Sequence, residues 1–234
     1  DDDDSSGGEE GFDWTADWEA LTLGVSVIES GESLPSSTVV WGDSAFPVIL
    51  DEANLPFVTA ARVGDGRAFQ VGHESYIGGG LTGAGDTGQL VRNAVQWVSA
   101  VEDPLIGVEA GLTSLTTWLQ DEGYTVETTD LENLDKYDVY CTTTYGEPSE
   151  DGLAAFREWL LAGGGLIAGG HAWWWGYDHD NAAENYPGNK LLFDAGLVVT
   201  TGWVSAGTDT VGDDAPSVLL NATRLQVALD VADD

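Results

Sequence analysis

Strands and helices alternate along the second half of the sequence, and this alternation limits the chain to few folds. Short apolar runs predict strands, and longer segments with one apolar stripe predict helices. From Pro104 onward the predicted strands are 105–108, 124–126, 137–142, 166–168 and 197–200, and the predicted helices are 112–122, one from Ser149, 189–195 and 217–231. Each helix returns the chain to the same end of the sheet, which makes the strands parallel. We therefore predict an α/β fold, with a three-layer, Rossmann-like parallel sheet as an α/β core over residues 104–234.

The first half of the sequence predicts mostly β structure. The predicted elements are a helix at 17–23, strands at 38–41, 46–50, 57–63 and 67–73, a glycine-rich loop at 78–88 and a helix at 89–101. Gly64-Asp65-Gly66 separates two alternating strands and is a strong hairpin signal. We predict a β-rich lead-in with a helix over 17–103, which forms one compact unit with the core. A disordered acidic spacer is predicted at 1–16.

The composition defines a strongly acidic protein. It has 41 Asp and Glu residues against 7 Lys and Arg, a net charge of -34. The first ten residues hold six of the acids, so the remainder still has 35 acids against 7 bases. Such charge repels phosphate backbones and anionic lipids, so no nucleic acid is expected as a partner. No apolar run approaches about 18 residues, so no membrane insertion is expected.

The acids are spread along nearly every predicted loop, and this pattern has two interpretations. A dense carboxylate surface is typical of salt-adapted, halophilic proteins, and it also fits an acidic secreted protein. The chain begins at DDDDSSGGEE without Met, like the spacer left after removal of a signal peptide or lipid anchor, although a trimmed sequence would look identical. The single cysteine, Cys141, gives no information on compartment. We expect an exported protein, extracellular or at the cell surface.

The sequence motifs for binding a dinucleotide, zinc or calcium are all incomplete in this chain. Residues 83–88 match G-x-G-x-x-G, with Glu109 about twenty residues on, but ten residues separate them from the preceding strand and Asp86 would face the pyrophosphate. His73-Glu74 lacks the second histidine of H-E-x-x-H. The closest approach to a calcium loop is a cluster at 178–184, interpreted as a solvated loop; its acids are Asp178, Asp180 and Glu184. We predict no cofactor and no metal site.

The segment 163–177, GGGLIAGGHAWWWGY, is the most unusual part of the sequence. Its turn, Gly169-Gly170-His171, has the glycines of a nucleophile elbow but neither Ser nor Cys. Cys141 lies within a predicted strand and is interpreted as a small buried hydrophobe. Three consecutive tryptophans cannot all face one core, so at least one should be exposed or line a groove. The alternative is that they pack beneath the acidic loop 178–187.

These observations predict a ligand-binding site at the carboxyl edge of the sheet. Ligands of open α/β sheets lie beyond the strand ends, and aromatic faces stack on sugars or apolar partners. The predicted site residues are His73, Glu74, Gly170, His171, Trp173, Trp174, Trp175 and Tyr177.

Six longer blocks of the sequence carry a family resemblance and follow one another in the family's order. They are 42–50, 71–77, 92–98, 106–112, 163–177 and 186–197. They resemble the amino-terminal region of the transient-receptor-potential channel-associated factors. The arrangement is also similar to the region that precedes the catalytic part of enhancin-like, mucin-directed zinc metallopeptidases. The resemblance implies a class I glutamine amidotransferase-like fold, in which the turn at Gly170 occupies the place of the nucleophilic Cys. It also implies Gln at position 171, where this chain has His171.

Two functions are consistent with these sequence features. The first is a non-catalytic recognition or scaffolding domain of an exported protein, part of a larger chain, that binds glycan, glycoprotein or protein. The second is a hydrolase, which a metal ion could assist, with His73, Glu74 and His171 as acid, base or ligands. The turn at 169–171 has the glycines of a nucleophile elbow but no Ser or Cys nucleophile. This favours the first function, a protein without catalytic activity.

Overall fold

A computed structural model describes residues 13–78 and 80–232 as an ordered series of strands and helices. The strands are β1 (Val27–Glu29), β2 (Ser36–Val40), β3 (Ala45–Leu50), β4 (Pro56–Val63), β5 (Gly66–Val71), β6 (Leu105–Glu109), β7 (Thr125–Thr129), β8 (Val139–Thr142), β9 (Gly165–Gly169), β10 (Leu197–Trp203) and β11 (Thr208–Thr210). The α-helices are α1 (Thr15–Thr22), α2 (Ser75–Gly78), α3 (Thr87–Val98), α4 (Thr113–Asp121), α5 (Glu150–Leu161), α6 (Ala172–Trp175), α7 (Ala182–Asn185), α8 (Pro187–Leu192) and α9 (Ala222–Ala232). Short 3₁₀ helices occupy Leu81–Gly83, Phe193–Ala195 and Val218–Leu220.

The central element is a mixed sheet, with seven strands among the described residues, in the order β3-β4-β5-β9-β8-β6-β7. The five strands from β5 to β7 in this order pair in parallel. Strands β3 and β4 extend the sheet by antiparallel pairing, and the predicted hairpin joins β4 to β5. Two small antiparallel sheets, β1–β11 and β2–β10, lie outside it. The strand predicted at 197–200 was expected in the parallel sheet, and this is wrong, because β10 pairs antiparallel with β2. The predicted α/β fold with a mostly parallel central sheet is confirmed.

Helices cover both faces of this sheet, because its central strands are apolar on both sides. Along β8, Val139 and Cys141 enter one buried cluster and Tyr140 enters the other, as the two-residue period of a strand requires. The first cluster contains residues of α1, α3 and α4, and the second contains residues of α5 and α8. The three layers therefore follow from the sequence of the strands.

The predicted division of the chain into 1–16, 17–103 and 104–234 stays a prediction. Residues 1–12, the larger part of the predicted spacer, lie outside the described residues, and α1 begins at Thr15. Strand β5 of the lead-in pairs with β9 of the core from Arg67 opposite Gly165 to Val71 opposite Gly169. The lead-in and the core thus contribute to one sheet.

The glycine-rich segment at 78–88 differs from the predicted loop in one respect, because short helices occupy part of it. The carboxylate of Asp86 accepts hydrogen bonds from the backbone N–H groups of Ser26, at 2.8 Å, and Val27, at 3.0 Å. These bonds tie the start of α3 to β1. Asp86 is therefore accounted for by a structural role.

Candidate functional site

His73, Glu74 and His171 meet at the carboxyl edge of the sheet, as the sequence predicts. Strands β5 and β9 are parallel neighbours, so the residues that follow them come together. The imidazole rings of His73 and His171 stack with centroids 4.1 Å apart and planes 8° apart. Glu74 Oε2 lies 2.8 Å from His171 Nδ1 and 3.5 Å from His73 Nδ1.

Tyr145 is a fourth member of this cluster that sequence reasoning missed. Its hydroxyl donates a hydrogen bond to Glu74 Oε2 at 2.8 Å and accepts one from the backbone N–H of His171 at 3.1 Å. Tyr145 follows the end of β8, the other neighbour of β9. Its position three residues beyond a predicted strand was the signal that could have placed it at the same edge.

Hydrogen bonds and burial fix the protonation of this cluster at neutral pH. Burial lowers the pKa of His73 to about 4, against the opposing influence of Glu74. The backbone N–H of Ser75 donates to His73 Nδ1, so that nitrogen carries no proton. Burial alone would raise the pKa of Glu74, but the hydrogen bond with His171, the charges of both histidines and the Tyr145 hydroxyl lower it to about 2. The cluster therefore holds a neutral His73 beside an ionised Glu74.

His73, Glu74 and His171 could together bind a metal ion. In the described part of the chain they are the one set of three or more His, Cys, Asp or Glu residues whose potential ligand atoms all lie within 4.8 Å of one another. A metal ion lies close to the plane of each imidazole that binds it, with Zn–N distances near ~2.0–2.1 Å. The stacked rings of His73 and His171 direct their lone pairs along two nearly parallel planes, which do not converge on one ion. The arrangement fits proton sharing, and a shared metal would require one ring to rotate.

The consecutive tryptophans have three different environments. Trp174 is 53% exposed and contacts the rings of Tyr145 and His171. Trp173 is half-buried, and its indole N–H donates to the carbonyl of Leu34. Trp175 is half-buried in the second core cluster and stacks on His179 of the acidic loop. The prediction that at least one indole is exposed is confirmed, and packing beneath the acidic loop applies to Trp175.

A groove of about 430 Å³ lies beside this segment. Its aromatic walls include Trp173, Tyr177 and Trp203, and its polar lining includes Asp180 and Asn181. Tyr177 is 75% exposed and Trp203 is 59% exposed. Sequence reasoning missed Trp203, because the predicted strand at 197–200 ends before it, whereas β10 continues to that residue.

Close packing holds the turn that precedes His171. A Cβ atom at Gly170 would lie 2.3 Å from Tyr186 Oη and 2.5 Å from the carbonyl oxygen of Thr143, so only glycine fits. The neighbouring Thr144 has φ of 61°, which is strained for a β-branched residue, and its hydroxyl pairs with Tyr186 Oη at 2.8 Å. Strain of this kind is common at functional sites.

A second cavity, of about 370 Å³, lies at the carboxyl ends of β6, β7 and β8. The chain leaves β6 for β7 on one side, whereas β8 pairs on the other side, so the strand order reverses here. Glu109 lines the cavity, and its Oε2 accepts hydrogen bonds from the Thr142 hydroxyl and from the backbone and hydroxyl of Thr143. Cys141 is buried nearby in β8, and burial raises the pKa of its thiol to about 12, as expected for an inert residue.

Comparison with known proteins assigns the family. A family model described as "TRPM8, N-terminal domain" matches residues 9–213. The chain belongs to the TRPM8 channel-associated factor N-terminal domain family. A TRPM8 channel-associated factor homolog of Xenopus laevis is 32% identical over 205 residues, which cover 86% of this chain and 21% of that protein. TRPM8 channel-associated factor 2 of Bos taurus is 35% identical over 193 residues, which cover 81% of this chain and 20% of that protein.

Solved structures share the fold of this channel-associated factor domain. The IMPa metallopeptidase from Pseudomonas aeruginosa superimposes with a TM-score of 0.62 at 16% identity, covering 94% of this chain and 26% of that one. IMPa in complex with an O-glycopeptide superimposes with a TM-score of 0.61 at 15% identity, covering 84% of this chain and 23% of that one. The resemblance to both families is confirmed.

The relatives correct one prediction about this member of the channel-associated factor family. An exported protein, extracellular or at the cell surface, was expected, and this is wrong, because the relatives are named as factors associated with the TRPM8 channel. An acidic start indicates solubility and does not report a compartment. The chain spans about a fifth of the length of these relatives. None of the helices in the described part of the chain is long and apolar enough to cross a membrane.

Proposed function

We propose that this domain is a non-catalytic recognition domain that binds glycan or glycoprotein at the carboxyl edge of its sheet. The ligand lies in the groove walled by Trp173, Tyr177 and Trp203, and it extends towards Trp174 and the cluster at His171. Of the ligand-binding residues predicted from the sequence, Trp173, Trp174 and Tyr177 line this surface, and the half-buried Trp175 supports it from below.

The exposure of the aromatic rings carries this proposal. Trp174, Tyr177 and Trp203 are each more than half exposed, although aromatic residues of this size are usually covered. Aromatic faces beside carboxylate and amide groups suit a sugar ring, which has apolar C–H faces and hydroxyl edges. Asp180 and Asn181 supply those polar groups in the same groove.

The likeness to IMPa adds support from a protein of the same fold. Solved structures of IMPa include complexes with an O-glycopeptide and with T-antigen. This chain has no H-E-x-x-H motif, so binding, and not zinc peptidase chemistry, is the part of this likeness that enters the proposal. The curated relatives are named for association with a channel, which makes a glycoprotein partner consistent with both comparisons.

Substitutions in the groove test the proposal. Tyr177→Ala and Trp203→Ala are expected to weaken binding to a mucin-glycopeptide array about three- to tenfold each, since one stacking contact contributes ~0.5–1.5 kcal/mol. Their free energies of unfolding should change by less than about 1 kcal/mol, because the side chains are exposed. Trp175→Ala should lower the free energy of unfolding by about 1–3 kcal/mol, because its half-buried ring packs against the second core cluster.

Phe193→Ala is the matched control for these substitutions, since Phe193 is 52% exposed and contacts Trp41 away from the groove. It should leave array binding unchanged. If the natural chain binds no member of the array, the recognition groove is contradicted. It is also contradicted if the Tyr177 and Trp203 variants bind as tightly as the natural chain.

A hydrolase remains the second candidate, because the structure brings His73, Glu74 and His171 together. Glu74 is ionised and 30% of its side chain is exposed, so it could accept a hydrogen bond from a ligand, but a pKa of about 2 makes it a weak general base. Tyr145 is held protonated, because burial and then Tyr186 and Glu74 raise its pKa far above the ordinary value.

Purified protein is expected to release no ammonia from glutamine and to cleave no mucin glycopeptide. The turn at Gly170 supplies no Ser or Cys nucleophile, and the stacked imidazoles do not converge on a metal. Mass spectrometry of glycopeptides and an ammonia assay measure this. Turnover that His171→Ala abolishes and Trp203→Ala preserves would establish the hydrolase in place of the recognition domain.

A further inference from the structure

A third cavity lies at the same edge of the sheet, away from the groove and the histidine cluster. It has a volume of about 450 Å³ and is lined by residues 51–53, directly after β3, and 205–209, which lead into β11. Strand β3 is antiparallel to β4, which is antiparallel to β5, so β3 also ends at the carboxyl edge. The lining residues are Asp51, Glu52, Ala53, Ser205, Ala206, Gly207, Thr208 and Asp209.

Asp209 has an unusual position for a carboxylate. It is only 6% exposed, because it pairs with Ile28 and faces inward from β11. Its Oδ2 atom is buried and accepts no hydrogen bond within the described part of the chain. A buried carboxylate oxygen without a donor is unfavourable, so a cation that reaches this oxygen would stabilise it.

The surroundings of Asp209 add negative charge and no positive charge. Burial, followed by the charges of Asp51 and Glu52, raises the pKa of Asp209 to about 6. None of the residues that line the cavity is Lys, Arg or His. A cation that enters from solvent would therefore meet three carboxylates without displacing an internal ion pair.

The ligand atoms of this cavity are all oxygens. The polar side chains that line it carry three carboxylates and the hydroxyls of Ser205 and Thr208, and none of them offers nitrogen or sulfur. Asp51 is already fixed, because its Oδ1 accepts hydrogen bonds from the backbone N–H groups of Ala53 and Leu55. An all-oxygen, flexible set suits Ca²⁺, whereas Zn²⁺ prefers nitrogen and sulfur and Mg²⁺ demands a rigid octahedron.

We propose that the cavity bounded by residues 51–53 and 205–209 is a calcium site, with Asp51, Glu52 and Asp209 as its carboxylate ligands. The three carboxylates do not all lie within 4.8 Å of one another before binding. Glu52 is exposed, so its side chain can rotate towards the ion, while Asp209 stays in place. Binding then fixes the loop that follows Trp203 onto the end of β3.

Calcium titration of the whole chain at constant ionic strength tests this site. Calorimetry should detect one Ca²⁺ per chain, with a dissociation constant of about 10⁻⁵ to 10⁻³ M, the range of weak sensor and extracellular sites. Asp209→Asn should weaken binding at least about tenfold. In the absence of calcium the same variant should melt higher than the natural chain, because it removes a buried charge repelled by Asp51 and Glu52.

Asp65→Asn is the matched control, because it removes the same charge from an exposed hairpin turn. Calcium binding should raise the Tm of the natural chain, because the folded chain alone binds the ion. Asp65→Asn should keep both this rise and the heat of calcium binding measured by calorimetry. Asp51→Asn retains an oxygen for the N–H groups of Ala53 and Leu55, so it tests the site with the loop intact. An equal rise in Tm in all variants, or an equal effect of Mg²⁺ and Ca²⁺, would show general screening and overturn the proposal.

Discussion

Replacement of Gly170 by alanine is expected to lower Tm by about 5–10 °C. The added methyl group would lie 2.3 Å from Tyr186 Oη, 2.5 Å from the Thr143 carbonyl and 2.6 Å from Thr144 Oγ1. The Tyr186 and Thr144 hydroxyls pair with each other in a buried position and have no room to retreat. Overpacking of this kind costs about 2–3 kcal/mol, which a thermal melt followed by circular dichroism detects readily.

Gly83→Ala is the control for this substitution. A Cβ atom at Gly83 would meet no atom within 4 Å, so its melting temperature should stay within about 1 °C of the natural chain. If Gly170→Ala has the same Tm as the natural chain, the turn before His171 is not packed against the loop after β8. That result would contradict the site geometry described above.

Acid is expected to destabilise the protein through His73. Its pKa falls from 6.5 in the unfolded chain to about 4 in the folded chain, so between these values the unfolded chain binds a proton that the folded chain does not. The stabilisation is complete above pH 6.5 and is lost as the pH falls to 4, at about 1.4 kcal/mol per pH unit and about 3 kcal/mol in total. Glu74, with a pKa of about 2, loses its own contribution only as the pH falls from 4.5 towards 2.

His73→Asn isolates this effect from the many surface carboxylates, because asparagine keeps an acceptor for the Ser75 N–H and does not titrate. Urea unfolding at pH 7, 6, 5 and 4 should show the variant gaining about 3 kcal/mol relative to the natural chain as the pH falls. Parallel curves for His73→Asn and the natural chain would mean that folding does not lower the pKa of His73.

The features that the sequence predicts correctly depend on neighbours along the chain. The hairpin at 64–66 needs only two glycines between alternating strands, and Val63 indeed pairs with Gly66. The start of α5 needs only Ser149, whose hydroxyl accepts the Gly152 N–H. The meeting of His73 with His171 was also predictable, because both follow strands of one parallel sheet.

The features that the sequence does not predict depend on contacts between distant segments. Tyr145 becomes part of the histidine cluster only because β8 is the second neighbour of β9. Asp209 looks like one more surface acid until β11 pairs with β1 and turns it inward. The order of strands decides both positions, and no local periodicity records that order.

The pairing of β1 with β11 and of β2 with β10 means that β1 and β2 are synthesised long before the strands with which they pair. Val27 lies opposite Thr210 and Val40 lies opposite Leu197, so strands near the start of this domain pair with strands near its end. At roughly 5–20 residues per second, a ribosome leaves them without partners for about 10–30 seconds. During that interval their unpaired edges are open to pairing with other chains.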